Sequence, residues 1–413
     1  MANALSEVLL RYQLLHNAQG DPSGVRLQAQ RLGQGAGAEA AQALPDLLDT
    51  LWPAHATPVL LGSADTSLLG DWLAQARSTR LRIVLTQQQY QDPTLARAAQ
   101  AAARRGLKLV WHGEPGARLK AAETLCFDYS ILALDAEQAL QCLRCARQPP
   151  SRSRHAQISP VLPGQVYEGV ASVELARHCL QQGASAVLGW PIEDAIFSQR
   201  QQRIQVNLAA LQKLLQATQA DAASEQLQRL LQADPLLVYR FLRFANSAGA
   251  GLHRAIETPR HGLQVLGLDQ LKAWLQQQLP HASADDALQP LRAGLSLRAR
   301  IMAELADQGQ GLAIGHPLGA ELTLCGLLSQ IDLLLGETLQ TACHALALPG
   351  AISRALLGQQ GEYWPYLALA CAQEASGPAT LQTLSQRHQI DASALNTALL
   401  RALVAMVPAA APS

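Results

Sequence analysis

Residues 234–275 read DPLLVYRFLRFANSAGAGLHRAIETPRHGLQVLGLDQLKAWL, and the spacing of their apolar positions decides the fold of the second half of the chain. Leu237, Phe241, Phe244 and Ala245 recur at i, i+4, i+7 and i+8, which places them on one face of a helix. Asp234-Pro235 starts that helix, an acidic cap followed by a residue whose fixed φ suits the first turn. Residues 246–251, rich in Asn, Ser and Gly, are expected to turn the chain, with Asn246 holding local backbone groups. Thr258 and Pro259 then repeat the cap-and-proline start for a helix that carries His261, Val265 and Leu266.

The same spacing continues outward. From about residue 207 onward nearly every segment is helical in pattern, as in Leu208, Leu211, Leu214 and Leu215. X-Pro pairs at 234–235, 258–259, 279–280, 316–317, 348–349, 364–365 and 377–378 punctuate it at helix-to-helix intervals. Before it, between residues 58 and 191, short apolar runs at 59–61, 81–85, 107–111, 131–134, 160–162 and 186–188 alternate with amphipathic stretches at 67–77, 92–105, 135–147 and 172–182. That alternation reads as repeated βα units and a parallel, TIM-like barrel. The expected architecture is therefore α/β plus all-α, with a barrel over residues 1–200 and a helical domain over 201–413, joined near 197–206.

At 413 residues two cores are the starting expectation. Hydrophobic residues make up 49% of the chain in broken runs, none near the roughly 20 apolar residues that span a bilayer. The first residues lack the pattern of a signal peptide, so cytoplasmic residence is expected. Zero net charge argues against a nucleic-acid clamp. Seven cysteines, an odd number, suit reduced and mostly buried thiols.

Motifs that carry chemistry are mostly missing. There is no HExxH, no His-Asp pair, no Walker lysine and no GxSxG elbow. Gly33, Gly35 and Gly37 lie in what reads as a flexible loop. Cys142 and Cys145 form a single C-x-x-C late in a helix, which lacks half the ligands of a zinc site and is read as packing. The basic stretch 148–159, with Arg152, Arg154 and His155, reads as a solvated loop, and 408–413 as a disordered tail.

The 234–275 segment resembles the HDOD module, a helical domain related to the HD metal-dependent phosphohydrolases. Asp234-Pro235, Leu242-Arg243, Ala245-Asn246-Ser247, Gly251-Leu252, Ile256, Arg260-His261 and Leu266-Gly267 carry the likeness. The resemblance implies that a metal-binding His-Asp pair of an active HD enzyme would follow Gly326-Leu327-Leu328. The chain has Ser329 and Gln330 there, poor ligands for a hard divalent cation, with Asp332 two residues on.

A barrel ahead of such a module is similar to the EAL-HDOD signalling proteins, whose first domain derives from a cyclic-di-GMP phosphodiesterase. Compared with that pattern, Glu-Ala-Leu is missing and residues 25–32 hold no carboxylate. The expected ligand positions fall at Gly62 or Ser63, at 86–89, at Trp111-His112-Gly113, at Ala133, at 163–167 and at Leu188-Gly189. Asp135 alone keeps its carboxylate, and it also fits a helix cap.

These readings lead to a non-enzymatic signalling or regulatory scaffold that needs no metal or cofactor and acts on other signalling proteins. Membranes and nucleic acid are not expected partners, and a homodimer is left open. The alternative is a sensor that binds cyclic-di-GMP or another nucleotide without turnover, with Arg77, Arg80 or Arg82 as phosphate partners. Of Arg240, Arg243, Arg254 and Arg260, two are expected to pair with Glu257 and Asp234 or to lie over aromatic rings, a reading preferred to nucleic-acid binding.

Overall fold

The computed structural model describes residues 2–32, 43–77, 80–115, 121–147, 159–199, 204–247, 255–284, 287–310, 317–374 and 378–407. Gly33 to Gly37, the 148–158 stretch, Gly251, Leu252, Arg254 and the 408–413 tail lie outside the described residues. The chain forms two compact units, one of residues 1–194 with 372–413 and one of residues 195–371.

In the first unit eight strands close into a barrel: β1 (Val8–His16), β2 (Pro22–Arg31), β3 (Val59–Ser63), β4 (Leu81–Thr86), β5 (Leu109–Gly113), β6 (Phe127–Ala133), β7 (Val166–Glu168) and β8 (Ala186–Leu188). Strands β2 to β8 run parallel, with helices in the connections, among them Thr66–Gln75, Pro93–Arg104, Ala136–Arg147 and Val173–Gln181. The sequence reading expected only parallel strands, but β1 is antiparallel to both β2 and β8. A hairpin at 17–21 joins β1 to β2, and that leaves no room for a crossover helix.

Alternation along the strands separates two apolar layers. Leu15, Leu60, Val84, Val110, Ile131, Val166, Ala186 and Leu188 pack together inside the barrel. Their outward neighbours Leu132, Tyr167 and Val187 pack under Cys142, Leu175 and Cys179 of the covering helices. The apolar run at 160–162 is not a strand; β7 follows it at 166–168.

The domain boundary differs from the expected single cut at 200. Residues 372–413 read as part of the helical half because they are helical, yet they group with the barrel. The reason is the helix Ala392–Val404, whose buried Leu395, Asn396, Leu399 and Leu403 pack against β1 and the helix Ala2–Ser6.

Among its described residues the second unit is helical, as expected, apart from a two-residue parallel pair between Val206–Asn207 and Ala282–Ser283. Its core is the helix Pro235–Ala245, in which Leu236, Leu237, Val238, Tyr239, Phe241, Leu242 and Ala245 are all buried. Phe241 meets Trp274 edge-on at 5.4 Å and Phe244 stacks on it at 5.7 Å, each pair adding about 0.5–1.5 kcal/mol beyond burial.

Candidate functional sites

Asp234 is fully buried at the start of its helix. Its Oδ1 accepts the N–H groups of Leu236 at 2.8 Å and Leu237 at 3.3 Å. Its Oδ2 accepts Asn207 N–H at 2.7 Å and the Arg292 guanidinium at 2.5 Å. Asn207 in turn caps the helix Leu208–Gln219 through Ala210 N–H. A buried carboxylate is costly unless it is paired and fully bonded, and Asp234 is both. The sequence looked for its partner among the neighbouring arginines; the partner is Arg292, 58 residues away.

Asn246 ends the helix as expected. Its amide donates to the carbonyls of Leu242 and Ile256 at 3.0 and 2.7 Å and accepts Ile256 N–H at 2.7 Å, which pins both ends of the loop between them. Ser247 closes the same turn through Phe244. Arg243 lies 6.0 Å from the Tyr239 ring, whose hydroxyl donates to Glu337 at 3.4 Å. Burial, with the nearby Glu337 charge, raises that phenol above its ordinary value. Thr258 Oγ1 accepts His261 N–H at 3.3 Å, and Arg260 and His261 occupy the first turn that follows. A Cβ on Gly262 would come within 2.7 Å of Phe241, and Gly267 takes φ +74° to kink the same helix, so both positions need glycine.

Ser329 and Gln330 converge on one cation, Arg298 of the helix Gln289–Gln310. Its guanidinium donates to Ser329 Oγ at 2.7 Å and to Gln330 Oε1 at 3.2 Å, and Arg298 itself is buried. Ser329 Oγ also donates to Gly326 O at 2.7 Å. Asp332 lies in the next helix, Ile331–Leu335, and burial raises its carboxyl above the ordinary value.

At the barrel's C-terminal mouth four strands, β1, β2, β5 and β7, contribute a polar cluster. The Arg26 guanidinium on β2 bonds Glu168 at 2.6 and 3.2 Å and also Gln13 on β1; His112 Nε2 on β5 lies 2.6 Å from Glu168 Oε2. Burial pushes the Glu168 carboxyl up, but the His112 hydrogen bond and the Arg26 charge outweigh it, and the group is held below its ordinary value. Glu168 lies one residue beyond the 163–167 stretch to which the resemblance assigns its glutamates, and it faces inward like Val166 two residues before it. Asp135 is exposed at the same end: it accepts Gln138 N–H at 2.7 Å while Gln138 returns a bond to Asp135 N–H, a capping box. Thr86 and Gln89 form another.

Arg80 and Arg82 do not line this mouth. They begin β4 at the opposite end of the barrel, where Arg80 bonds Asp49 and the Trp52 carbonyl and Arg82 bonds Asp128 at 2.7 Å over the Tyr129 ring. Among the described residues no three or more His, Cys, Asp or Glu side chains are grouped to hold a metal ion.

The HDOD domain family model matches residues 204–348. This region of the chain is an HDOD domain. The HDOD stretch contains Asp234, Pro235, Arg243, Asn246, Ser247, Gly251, Arg260, His261 and Gly267, and also Arg292, Arg298, Ser329 and Gln330. No EAL model matches the barrel. A relative of Bacillus subtilis (strain 168), the uncharacterized protein YuxH, is 27% identical over 177 residues, which span 42% of this chain and 41% of YuxH. A crystal structure of the MmoQ response regulator from Methylococcus capsulatus str. Bath aligns with 50% of this chain and 89% of its own at 20% identity, with a TM-score of 0.27, too loose a superposition to support a structural argument.

The partners that organise the HDOD domain, Arg292 and Arg298, were invisible to motif reading. Both lie on the helix Gln289–Gln310, whose register says only that they fall among buried positions. A buried arginine on a helix face is the available signal, since such a charge requires a partner.

Proposed function

We propose that the protein is a non-catalytic signal-transduction scaffold that acts through contacts with other signalling proteins, its barrel and its HDOD domain both lacking the groups needed for phosphodiester hydrolysis. The observation that carries this reading is the Arg298 guanidinium bonded to Ser329 and Gln330. Where the HD resemblance calls for a cation held by imidazole and carboxylate, the chain supplies its own fixed cation on a hydroxyl and an amide. A divalent metal there would face like-charge repulsion and no anionic ligand.

The barrel supports the same reading. Asp135 is committed to a helix cap, and Glu168 is neutralised by Arg26, so neither carboxylate is left to activate water. The nucleotide-sensor alternative loses Arg80 and Arg82, which are engaged at the far end of the barrel.

The test is an assay of the full chain with Mg²⁺ or Mn²⁺ on cyclic-di-GMP and simple phosphodiesters, paired with calorimetric titration of each metal. No turnover and no metal-binding heat is the expected result. Metal-dependent hydrolysis lost in Asp135→Ala or Glu168→Gln would overturn the proposal. Heat from cyclic-di-GMP without turnover would replace the scaffold with the sensor.

A further inference from the structure

The barrel unit is built from two stretches of chain that the HDOD domain separates. Residues 1–194 supply all eight barrel strands, and residues 372–413 return to the same unit after the whole of 195–371 has formed the other. What returns is a closing piece. The helix Ala392–Val404, with Leu395, Asn396, Leu399 and Leu403 buried, packs against β1 and the helix Ala2–Ser6. Asn396 bonds the backbone of Leu5, Val8 and Leu10. The helix Pro378–His388 reaches β2 through Gln382, whose Oε1 accepts Gln30 Nε2–H at 3.5 Å. Gln373, fully buried at the start of the segment, donates to Leu395 O at 3.4 Å.

Docking of 372–413 on the barrel closes a loop that contains the HDOD domain. With that domain folded the loop is effectively short, because a compact insert holds its two ends at a set separation. With it unfolded, the same docking must restrain a flexible chain from Ala195 to Cys371, and the closed population falls as about the −3/2 power of the number of flexible residues. Relative to a loop of about ten mobile residues, the loss is on the order of a hundredfold. Linkage makes the effect mutual, so a closed barrel also steadies the HDOD domain.

We propose that residues 372–413 are the route by which the state of the HDOD domain reaches the barrel. A folded HDOD domain keeps the seal on β1 closed, and a partner that loosens the domain, or draws Ala195 and Cys371 apart, releases the backbone of Leu5, Val8 and Leu10. The device depends on the order of the chain and on the Asn396 contacts, so it stands whether or not the scaffold reading above holds.

The experiment is hydrogen exchange of the full chain, read by mass spectrometry on peptides covering residues 8–12 and 235–245. It is run at a urea concentration where the 235–245 peptide of Asp234→Ala exchanges as unfolded and that of the wild type does not. The 8–12 peptide is then expected to exchange at least about tenfold faster in the variant, since exchange follows the opening equilibrium. Phe241→Ala opens the same domain through a cavity instead of a broken charge pair, is expected to act alike, and serves if Asp234→Ala is insoluble. A flexible Gly-Ser insertion of about 40 residues after Glu374 lengthens the loop in every background, so it is expected to speed exchange at 8–12 in the wild type and to shrink the further effect of the variants. Exchange at 8–12 that matches the wild type in both variants, while their 235–245 peptides are open, overturns the proposal. An insertion that leaves the variants' effect at full size overturns it too, since the effect then does not travel along the chain.

Discussion

Asn396 Oδ1 accepts the N–H of Leu10 at 2.9 Å, and the same amide donates to the carbonyls of Leu5 and Val8 at 2.7 Å each. Strand β1 pairs with β2 along its length but with β8 only at Leu15 and His16, so the Val8 end of β1 has no strand neighbour on that side. A side-chain amide carries the same donor and acceptor as a peptide group. Asn396 thus stands in for the strand that β8 is too short to supply, which is why residues near the end of the chain belong to the barrel.

Replacing Asn396 by leucine leaves three backbone groups at a fully buried site without partners. Each unsatisfied group costs about 1–3 kcal/mol before relaxation, so a net loss of about 3 kcal/mol is expected in urea unfolding. Asn396→Asp keeps the acceptor for Leu10 but sets a charge against two carbonyls, and is expected to be no better. Unchanged midpoints in both variants would show that water or a shifted helix seals the seam.

Removing one member of the Asp234–Arg292 pair strands the other in the core. Asp234→Ala is expected to destabilise the HDOD domain by about 3–5 kcal/mol, and Arg292→Met by a similar amount. The double variant Asp234→Leu with Arg292→Met should recover part of the loss, because no uncompensated charge remains. Chemical denaturation followed by tryptophan fluorescence reads all three.

The helical half was legible because its information is local: caps at Asp234 and Thr258, the stripe through Leu237 and Phe241, and the turn at Asn246 are all set within a few residues. Four of the barrel's connecting helices were legible for the same reason. Strands β1 and β2 were not read. Val8, Leu9 and Leu10 are buried on both faces, one of them under the helix Ala392–Val404, so the alternation that marks a strand is absent there. Strand β7 has only three residues and lies beside the more apolar 160–162 run. Glu168 was missed by one position, and one position in a strand turns a side chain from the core to the outside. Its partner Arg26 is 142 residues away, a distance that no periodicity reports.

Acid should weaken the barrel through Glu168. Its folded-state carboxyl is held below the ordinary value of 4.5, so its contribution is fully present above that value and is lost as pH falls through the folded pKa. Urea midpoints below pH 4.5 should fall less steeply in Glu168→Gln than in the wild type. Equal slopes would mean that the Arg26 and His112 contacts carry no net linkage.

His16 acts in a different window. Burial lowers its imidazole from 6.5 to about 4, offset in part by the Gly20 carbonyl that Nδ1 contacts. The unfolded chain takes up a proton near pH 6.5 and the folded barrel refuses it until about 4. Stability therefore falls as pH drops between those values, by about 3 kcal/mol in full. His16→Gln should flatten the profile between pH 7 and pH 4.5, above the range in which Glu168 contributes.

Arg298 links the stability of the HDOD domain to the scaffold reading. Arg298→Met removes the donor to Ser329 Oγ and Gln330 Oε1, and the expected loss is about 1–3 kcal/mol, read by urea unfolding. Arg298→Lys should recover only part of it, since an ammonium cannot span both acceptors in the plane of a guanidinium. Neither variant should gain affinity for Mn²⁺, because a hydroxyl and an amide remain weak ligands once the competing charge is gone. Arg298→Met binding Mn²⁺ where the wild type does not would mean that the guanidinium alone had been excluding the metal and that the remaining groups suffice to hold it. The site would then be a blocked metal centre rather than a lost one.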